Sequence, residues 1–361
     1  MKKFTVLFSM FFLFASSLLQ AEEIENIVVE QRTDGSGMVD IYFDIVGTGS
    51  NIYNITLEVS FDGAEPFDLI DPVYYSGSVR GVQEGSHYIA WNGMVSHPGI
   101  DTEAAVLKIT ADFVAGPVSY NGHVYPVTVI GEQVWFARNL QTEFYANGEP
   151  ILRFHPKFLE EPPFDPGSET YEGYYYVYPY RSDEADGLNT EQELINAYGL
   201  HYNYLVIMDD RGVCPDGWRV PNKQDWDAMT DYLLEQHFYD GATTENISSL
   251  LVSCRTMSGG NCQVANHPYW EFMNADDLTN LSGLNLLPAG QASADPLGNA
   301  FLTFVASFWA IDTNYGDNSY GHLTINDSDI GFWDPAQEAG SPDQGIESGI
   351  GFSIRCIKDL D

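Results

Sequence analysis

The chain has 361 residues and carries 52 acidic against 15 basic side chains, a formal net charge of −37. This charge argues against nucleic-acid binding, because phosphates are held by Lys and Arg, and against an anionic membrane surface. It favours cations, and calcium is the abundant extracellular candidate. The alternative is that most carboxylates only keep an exported protein in solution. The length suits two domains.

The first 21 residues have the pattern of a signal peptide. Lys2 and Lys3 precede the uncharged apolar run 4–19, and Ala21 offers a small residue for cleavage. That run is short for a membrane span, and no later segment is long and apolar enough, so we expect no transmembrane segment in the mature chain. An uncleaved anchor is the alternative. The pattern predicts export to the cell exterior, the cell surface or the periplasm.

Residues 22–115 are predicted to form an all-β domain. Segments 38–45, 54–61 and 107–113 alternate apolar and polar side chains, which indicates half-buried antiparallel strands. Turn residues separate them and no segment has helical periodicity. The pattern predicts an immunoglobulin-like or fibronectin-like sandwich. The strand-edge motifs at 39–44, 59–63 and 89–92 also resemble a small β-sandwich module of exported bacterial proteins.

Residues 116–361 have a mixed pattern that predicts a loop-rich α+β domain. The predicted elements are a hairpin at 124–129 and 133–136, a helix at 190–198 capped by Asn189 and ended by Gly199, a buried strand at 200–208, a helix beginning at Asn222 with Asp225 in its first turn, a short helix at 246–253 and a closing strand at 351–357. In the helix after Asn222, apolar side chains three to four residues apart share one face.

Six short motifs mark this second domain. They are VWFARNL at 134–140, YGLHYNY at 198–204, CPDGWRVP at 214–221, LPAG at 287–290, FW at 308–309 and GFSIRC at 351–356. Their order and spacing resemble the Fibrobacter succinogenes major paralogous domain over about residues 120–360. The resemblance implies a C-type-lectin-like fold, related to that of the formylglycine-generating enzyme, in which the N- and C-terminal strands of the domain pair.

All four cysteines lie in the second domain. An even number in an exported chain suggests disulfides, and four cysteines allow three pairings. The resemblance favours Cys214 with Cys356, which would close a long loop, and therefore Cys254 with Cys262, which would close a short one.

Aromatic residues give two different predictions. Four motif tryptophans are expected in the core, with a sugar-stacking platform as the alternative: Trp135, Trp218, Trp226 and Trp309. Six tyrosines crowd between 171 and 180, and they fit either an adaptable binding surface or a strand packed on the domain: Tyr171, Tyr174, Tyr175, Tyr176, Tyr178 and Tyr180. The predicted ligand contacts are Tyr174, Tyr176, Tyr178, Tyr315 and Tyr320.

The polar segment 312–334 is the candidate metal site. The resemblance implies ligand or calcium binding by loops in this region, and oxygen-rich loops suit calcium. The candidate ligands are Asp312, Asn314, Asp317, Asp327 and Asp329. The spacing is not that of an EF-hand, because glycine comes too early and no closing glutamate follows. A solvated loop without metal is the alternative.

No nucleophile elbow, zinc-protease helix or phosphate-binding glycine loop occurs, and His201 is expected to be a hydrogen-bonded core histidine. Formylglycine-generating relatives use reactive cysteines, but Cys214 and Cys356 match a structural disulfide. The predicted function is therefore an exported, non-catalytic binding or adhesion protein for a polysaccharide or a cell-surface protein. The alternatives are a structural envelope protein, a receptor with diversified loops, and an enzyme of the formylglycine-generating type.

Overall fold

The computed structural model describes residues 5–8, 23–47, 50–155, 164–165, 170–177, 188, 190–236, 247–253, 268–271, 280–293, 302–312, 319–325, 330–333 and 350–360. The chain divides into two compact units, Met1–Pro117 and Val118–Asp361. In the described residues strands predominate over helices, and no helix is long and apolar enough to cross a membrane.

The described residues of the first unit form two sheets. Its elements are β1 (Thr5–Phe8), β2 (Glu23–Gln31), β3 (Met38–Val46), β4 (Ile52–Ser60), β5 (Asp68–Leu69), β6 (Tyr75–Gly77), β7 (Gly85–Asn92), α1 (Gly93–Ser96) and β8 (Asp101–Ala115). One sheet has the order β2-β3-β7-β6 and the other has the order β1-β8-β4-β5. All ladders are antiparallel except that of β1 with β8, which is parallel.

The core of this unit follows the predicted alternation. On β3 and β4 the inward-facing side chains are buried: Val39, Ile41, Phe43, Ile45, Ile55, Leu57 and Val59. Apolar residues at every second position therefore bury one face of each sheet against the other, which supplies most of the driving force for this unit.

The described residues of the second unit form several small sheets and four helices. Its elements are β9 (Val118–Tyr120), β10 (His123–Tyr125), β11 (Val127–Ile130), β12 (Gln133–Phe136), β13 (Leu152–Arg153), β14 (Phe164–Asp165), β15 (Thr170–Tyr171), β16 (Tyr174–Tyr176), α2 (Glu191–Tyr198), β17 (His201–Tyr202), α3 (Tyr204–Ile207), α4 (Lys223–Gln236), α5 (Ser248–Leu251), β18 (Ala292–Ser293), β19 (Ala306–Asp312), β20 (Ser319–Ile325), β21 (Ile330–Trp333), β22 (Ile350–Gly351) and β23 (Ile357–Asp359).

The predicted hairpin is present as β11 and β12, except that residues 124–125 of its first strand belong to β10, which pairs with β9. Strand β23 pairs with the other edge of β12. The two terminal regions of the second unit therefore meet in one three-stranded sheet. The predicted continuous strand at 351–357 is instead two short strands, β22 and β23, that belong to different sheets. The residues between these two strands make backbone hydrogen bonds with other segments. Phe352 exchanges two with Tyr202, and the Ser353 carbonyl accepts from the Trp309 amide.

The helix caps agree with the sequence at α4 and differ at α2. Asn222 Oδ1 accepts from the Asp225 amide at 2.8 Å, and the Asp225 carboxylate accepts from the Asn222 amide at 2.6 Å, as predicted. At α2 the predicted Asn189 cap is wrong. Thr190 is the cap, because its hydroxyl and the Glu193 carboxylate each accept from the other's backbone amide.

The predicted buried strand 200–208 is also wrong beyond its first residues. Only His201–Tyr202 is a strand, and α3 follows. Asn203 ends the strand, since its side chain accepts from the Tyr174 amide at 3.0 Å and its carbonyl accepts from Val206 at 3.2 Å. A short apolar run cannot distinguish a buried strand from a buried helical turn.

Most of the motif tryptophans lie in the core of the second unit, as expected. Trp135 and Trp226 pack with ring centroids 4.7 Å apart, and Trp309 is also buried. Trp218 is half-buried, with its ring 4.6 Å from Phe136. These rings contribute packing between β12, α4 and β19.

Candidate functional site

The C-terminal end of the second unit is joined covalently to the internal CPDGWRVP turn, and by strand pairing to β12. Cys214 and Cys356 form a disulfide across a sequence separation of 142, the pairing that the resemblance favours. Both sulfurs are buried, and Arg219, five residues after Cys214, pairs its backbone with Ile357, next to Cys356. Cys254 and Cys262 lie outside the described residues.

Arg355 lies beside this disulfide and is fully buried. Its guanidinium donates to four oxygens: Asn139 Oδ1 at 2.7 Å, the Phe136 carbonyl at 2.8 Å, the Leu284 carbonyl at 2.8 Å and the Asn285 carbonyl at 2.9 Å. None of these partners is a carboxylate. Burial lowers the pKa of Arg355 to about 9, so the group is still a cation at neutral pH.

Asn139 extends this network from Arg355 to α2. Its Nδ2 donates to the Tyr198 carbonyl at 2.8 Å and to Ser353 Oγ at 3.3 Å. The Asn139 amide nitrogen thus satisfies a carbonyl in the last turn of α2, while the Asn139 amide oxygen accepts from Arg355. We call the disulfide, the β12–β23 pairing and the hydrogen bonds of Arg355 and Asn139 the closing frame. In the described structure the motif residues of this frame are bonded inside the unit.

Asp225 and Arg219 add a partly exposed ion pair to the closing frame. Both terminal nitrogens of Arg219 donate hydrogen bonds to the Asp225 carboxylate, which also caps α4. The hydrogen bond to Asp225, opposed by burial, raises the pKa of Arg219. This pair connects the CPDGWRVP turn to the helix that follows it.

His201 on β17 is fully buried. Burial lowers its pKa to about 4, and hydrogen bonds with the backbone of Gly290 and Ala289 oppose that shift. His201 and Tyr176 both pack against Gly351. A Cβ added to Gly351 would lie 2.5 Å from the Tyr176 ring, so only glycine fits there. His201 is therefore a neutral packing residue near pH 7, in line with the expected core histidine.

The neutral His201 predicts a specific pH dependence of stability. Unfolding releases an imidazole with a pKa near 6.5, so above that pH His201 contributes no pH dependence. As pH falls from 6.5 to about 4, the unfolded chain binds the proton first, and the free energy of unfolding should fall by about 3 kcal/mol. Urea unfolding of His201→Gln should lack this fall, while the control His87→Gln keeps it. Equal pH dependence in wild type and His201→Gln would contradict the assignment.

The tyrosine-rich segment divides between interior and surface. Tyr174, Tyr175 and Tyr176 form β16, the middle strand of the sheet β13-β16-β17, and all three are buried. The packed-strand alternative therefore fits these three, and a ligand could touch Tyr174 or Tyr176 only by reaching into their cluster with Phe154. Tyr171 is 47% exposed. Tyr178 and Tyr180 lie outside the described residues.

A group of charges lies beside this segment. Arg211 donates to Asp209 at 2.6 and 2.8 Å, to Glu172 at 2.6 Å and to Glu149 at 3.0 Å, and its guanidinium lies 3.9 Å from the centre of the Tyr145 ring. Burial raises the pKa of Asp209, but the hydrogen bonds from Arg211 outweigh it, so the pKa is lowered overall. Three carboxylates thus share one cation, which leaves the group with net negative charge.

Removing this cation is expected to destabilise the second unit. Arg211→Met would leave the half-buried carboxylates of Asp209 and Glu172 facing each other without compensation, at a cost of about 1–3 kcal/mol. The matched control is Arg153→Met, which breaks an exposed pair with Glu191 and should cost less than about 1 kcal/mol. Urea unfolding midpoints measure both. Equal losses would show that the Arg211 group is merely a solvated ion pair.

The candidate calcium ligands fall largely outside the described residues. Asp312 ends β19, and Asn314, Asp317, Asp327 and Asp329 lie in the undescribed segments around β20. Tyr315 is likewise undescribed, and Tyr320 lies on the β20 backbone. Among the residues whose side chains are described, no three His, Cys, Asp or Glu side chains form a group that could hold a metal.

The roles of Arg355 and Arg211 are not apparent from the amino-acid sequence. Arg355 is part of the GFSIRC motif, and an arginine between apolar residues and a cysteine on a buried strand was the available signal. Asp209 is two residues before Arg211 and is local, but Glu172 and Glu149 lie 39 and 62 residues earlier, so the sequence does not show that the three carboxylates meet at one arginine.

Comparison with known proteins gives one result. No curated protein and no solved structure matches the chain. The family model of the Fibrobacter succinogenes major domain matches residues 128–358, more than half of the chain and the part that contains the closing frame. This chain therefore belongs to the Fibrobacter succinogenes major domain family.

Proposed function

We propose that this protein is an exported, non-catalytic binding or adhesion protein whose ligand is a polysaccharide or a cell-surface protein. Residues 1–21 are its signal peptide, the first unit is an immunoglobulin-like sandwich that presents the second, and the second unit binds through its loops. One observation carries the proposal: the motif residues Cys214, Cys356, Asn139 and Arg355 are all bonded within the closing frame.

The fold part of the proposal is a C-type-lectin-like second unit. Support comes from β12 and β23, which pair near the two ends of the unit, and from the small sheets and long connections between them. In such a fold the paired ends hold the domain closed, and the connections are free to differ in sequence and to contact ligand.

The absence of catalysis is part of the proposal too. An enzyme of the formylglycine-generating type needs a free reactive thiol, because the thiolate is the nucleophile. Two of the four cysteines are joined to each other in a buried disulfide, so they do not supply it. The rival therefore depends on Cys254 or Cys262 being free.

The proposed ligand contacts combine the surface near the Arg211 group with the C-terminal loops. Phe144, Leu152 and Tyr171 are large apolar side chains left exposed in the same part of the chain as that group. Aromatic and apolar faces bordered by charges suit sugar rings and polar protein surfaces. Calcium, if bound, is proposed to lie among Asp312, Asn314, Asp317, Asp327 and Asp329.

A glycan array tests the proposal with the chain beginning at Glu22, in calcium and in a chelator. Binding lost on chelation supports a calcium-dependent lectin and should also be lost in Asp327→Asn/Asp329→Asn. The control Asp227→Asn changes an exposed α4 carboxylate and should bind normally. Calcium-independent binding should weaken in Tyr171→Ser but not in Tyr42→Ser, a change in the first unit.

Other outcomes would reject the proposed ligand. A chain that binds no glycan and no cell surface, but co-purifies tightly with cell wall, would be a structural envelope protein. Mass spectrometry of the secreted protein tests export separately, since an N-terminus at Met1 would contradict cleavage after Ala21.

A further inference from the structure

Strand β8 has one fully paired edge and one edge that is largely open. Along one side, its residues 106–115 pair with β4. On the other side β1 pairs only with residues 101–105, and no other strand in the described part of the first unit pairs there. Along residues 106–115 of β8, every second residue therefore presents its backbone N–H and C=O at a free edge, which is a template for another strand.

The side chains along this edge are incompletely covered. Leu107, Ile109 and Ala111 face the core but stay half-buried. Their neighbours on β4 are 4% exposed at Ile55 and 0% exposed at Leu57. On the same face of one sheet, the side chains of β4 are therefore buried while those of β8 are only half-buried. The less buried strand is the one whose other edge has no neighbouring strand.

The opposite sheet is open at the same place. Strand β2 lies in contact with β8 across the core, and its apolar residues Ile24, Ile27 and Val29 are also only half-buried. Phe113, near the end of β8, is 63% exposed. At the free edge of β8, apolar side chains from both sheets of the first unit are therefore partly exposed to solvent.

The chain itself shows what kind of segment this edge accepts. Thr5–Phe8 is extended and mainly apolar, and it pairs with β8 from Asp101 to Ala105. The segment after β8 does not return to the edge, because the chain passes through Gly116 and Pro117 into β9, which pairs with β10. Among the described residues of this chain, none takes the position beside residues 106–115.

We propose that the free edge of β8 is a strand-addition site for an extended segment of another polypeptide with apolar residues at alternate positions. The inference rests on the proposed function for one step, removal of residues 1–21, which vacates the part of the edge held by β1. Backbone hydrogen bonds would supply affinity, and the apolar residues would cover Leu107, Ile109 and Ala111.

Charges that usually protect an edge strand do not block this one. Lys108 is on the outer face of β8 and pairs with Glu58 of β4 at 2.6 Å. It therefore leans toward the paired edge. The inner row of β8 over residues 107–113 has no charged side chain, so the edge lacks the inward-pointing charge that discourages strand addition.

The test uses the chain beginning at Glu22 and the synthetic peptide KTVTITVTVK, which is apolar at alternate positions. We expect saturable 1:1 binding by fluorescence anisotropy and slowed amide exchange in residues 106–115. Ala111→Lys places a charge on the inner face and should weaken binding at least about tenfold. The matched control Thr110→Lys changes the outer face of the same strand and should bind within about twofold of wild type.

Two further measurements keep the inference falsifiable. Phe113→Lys alters an inner-row position that is 63% exposed, so it should weaken peptide binding with less disturbance of the fold than Ala111→Lys. No slowed exchange in 106–115 at about 1 mM peptide, or equal binding of the same residues in the order KTTTTVVIVK, would overturn the proposal. A dimer that Ala111→Lys dissociates would also overturn it, since a second copy would then occupy the edge.

Discussion

Replacing Arg355 with methionine is expected to lower the free energy of unfolding of the second unit by about 3–5 kcal/mol. The guanidinium donates to four oxygens in the interior, from β12, from Asn139 and from the turn at 284–285. Methionine keeps much of the side-chain volume but leaves these acceptors unsatisfied where water does not reach. Arg355→Lys should recover only part of the loss, because an ammonium offers three donors and no planar fork.

Urea unfolding followed by tryptophan fluorescence measures this loss. Trp91 is the only tryptophan before residue 118, so the signal reports mainly on the second unit. The matched control is Arg138→Met, which removes a neighbouring arginine with one hydrogen bond, to the Asn196 carbonyl at 2.9 Å. It should cost less than about 1 kcal/mol. Similar losses for Arg355→Met and Arg138→Met would contradict the role of Arg355 in the closing frame.

Removing the disulfide is expected to cost about 4–5 kcal/mol. The bond closes a loop of 142 residues, and in the chain-entropy model a loop of this length restrains the unfolded chain by that amount. Cys214→Ala/Cys356→Ala is the variant to compare with wild type, because replacing both residues leaves neither partner of the broken bond as a free thiol. Its urea midpoint should fall, while that of the first unit should not move.

The single replacement Cys214→Ala provides the control for packing. It should lose about as much stability as the double variant, because either change opens the same loop. A double variant within about 1 kcal/mol of wild type would contradict a structural role for this bond. Additivity of Cys214→Ala/Cys356→Ala with Arg355→Met is not expected, since Arg355 and Cys356 are adjacent.

The alternating segments and the helix caps show how far sequence patterns reach in this chain. Val39 to Ile45 and Ile55 to Val59 bury every second side chain, because a strand has a period of two. Asn222 and Asp225 form the predicted cap because that interaction is local. Both kinds of pattern are read from residues within a few positions of one another.

Interactions between distant segments were the ones that could not be derived from such patterns. Asn203 ends the strand 201–202 by accepting from Tyr174, which lies 29 residues earlier. Tyr174, Tyr175 and Tyr176 are all buried because β13 and β17 flank β16, and a run of three tyrosines does not indicate this. The four acceptors of Arg355 come from segments about 70 and more than 200 residues away.

The most direct test of the central claim is a map of the cysteines in the secreted protein. Unreduced protein is unfolded in the presence of iodoacetamide, digested and analysed by mass spectrometry. The closing frame predicts a peptide pair linked through Cys214 and Cys356 and no alkylated form of either residue. A free, readily alkylated Cys214 or Cys356 would contradict the frame and favour an enzyme with a reactive thiol.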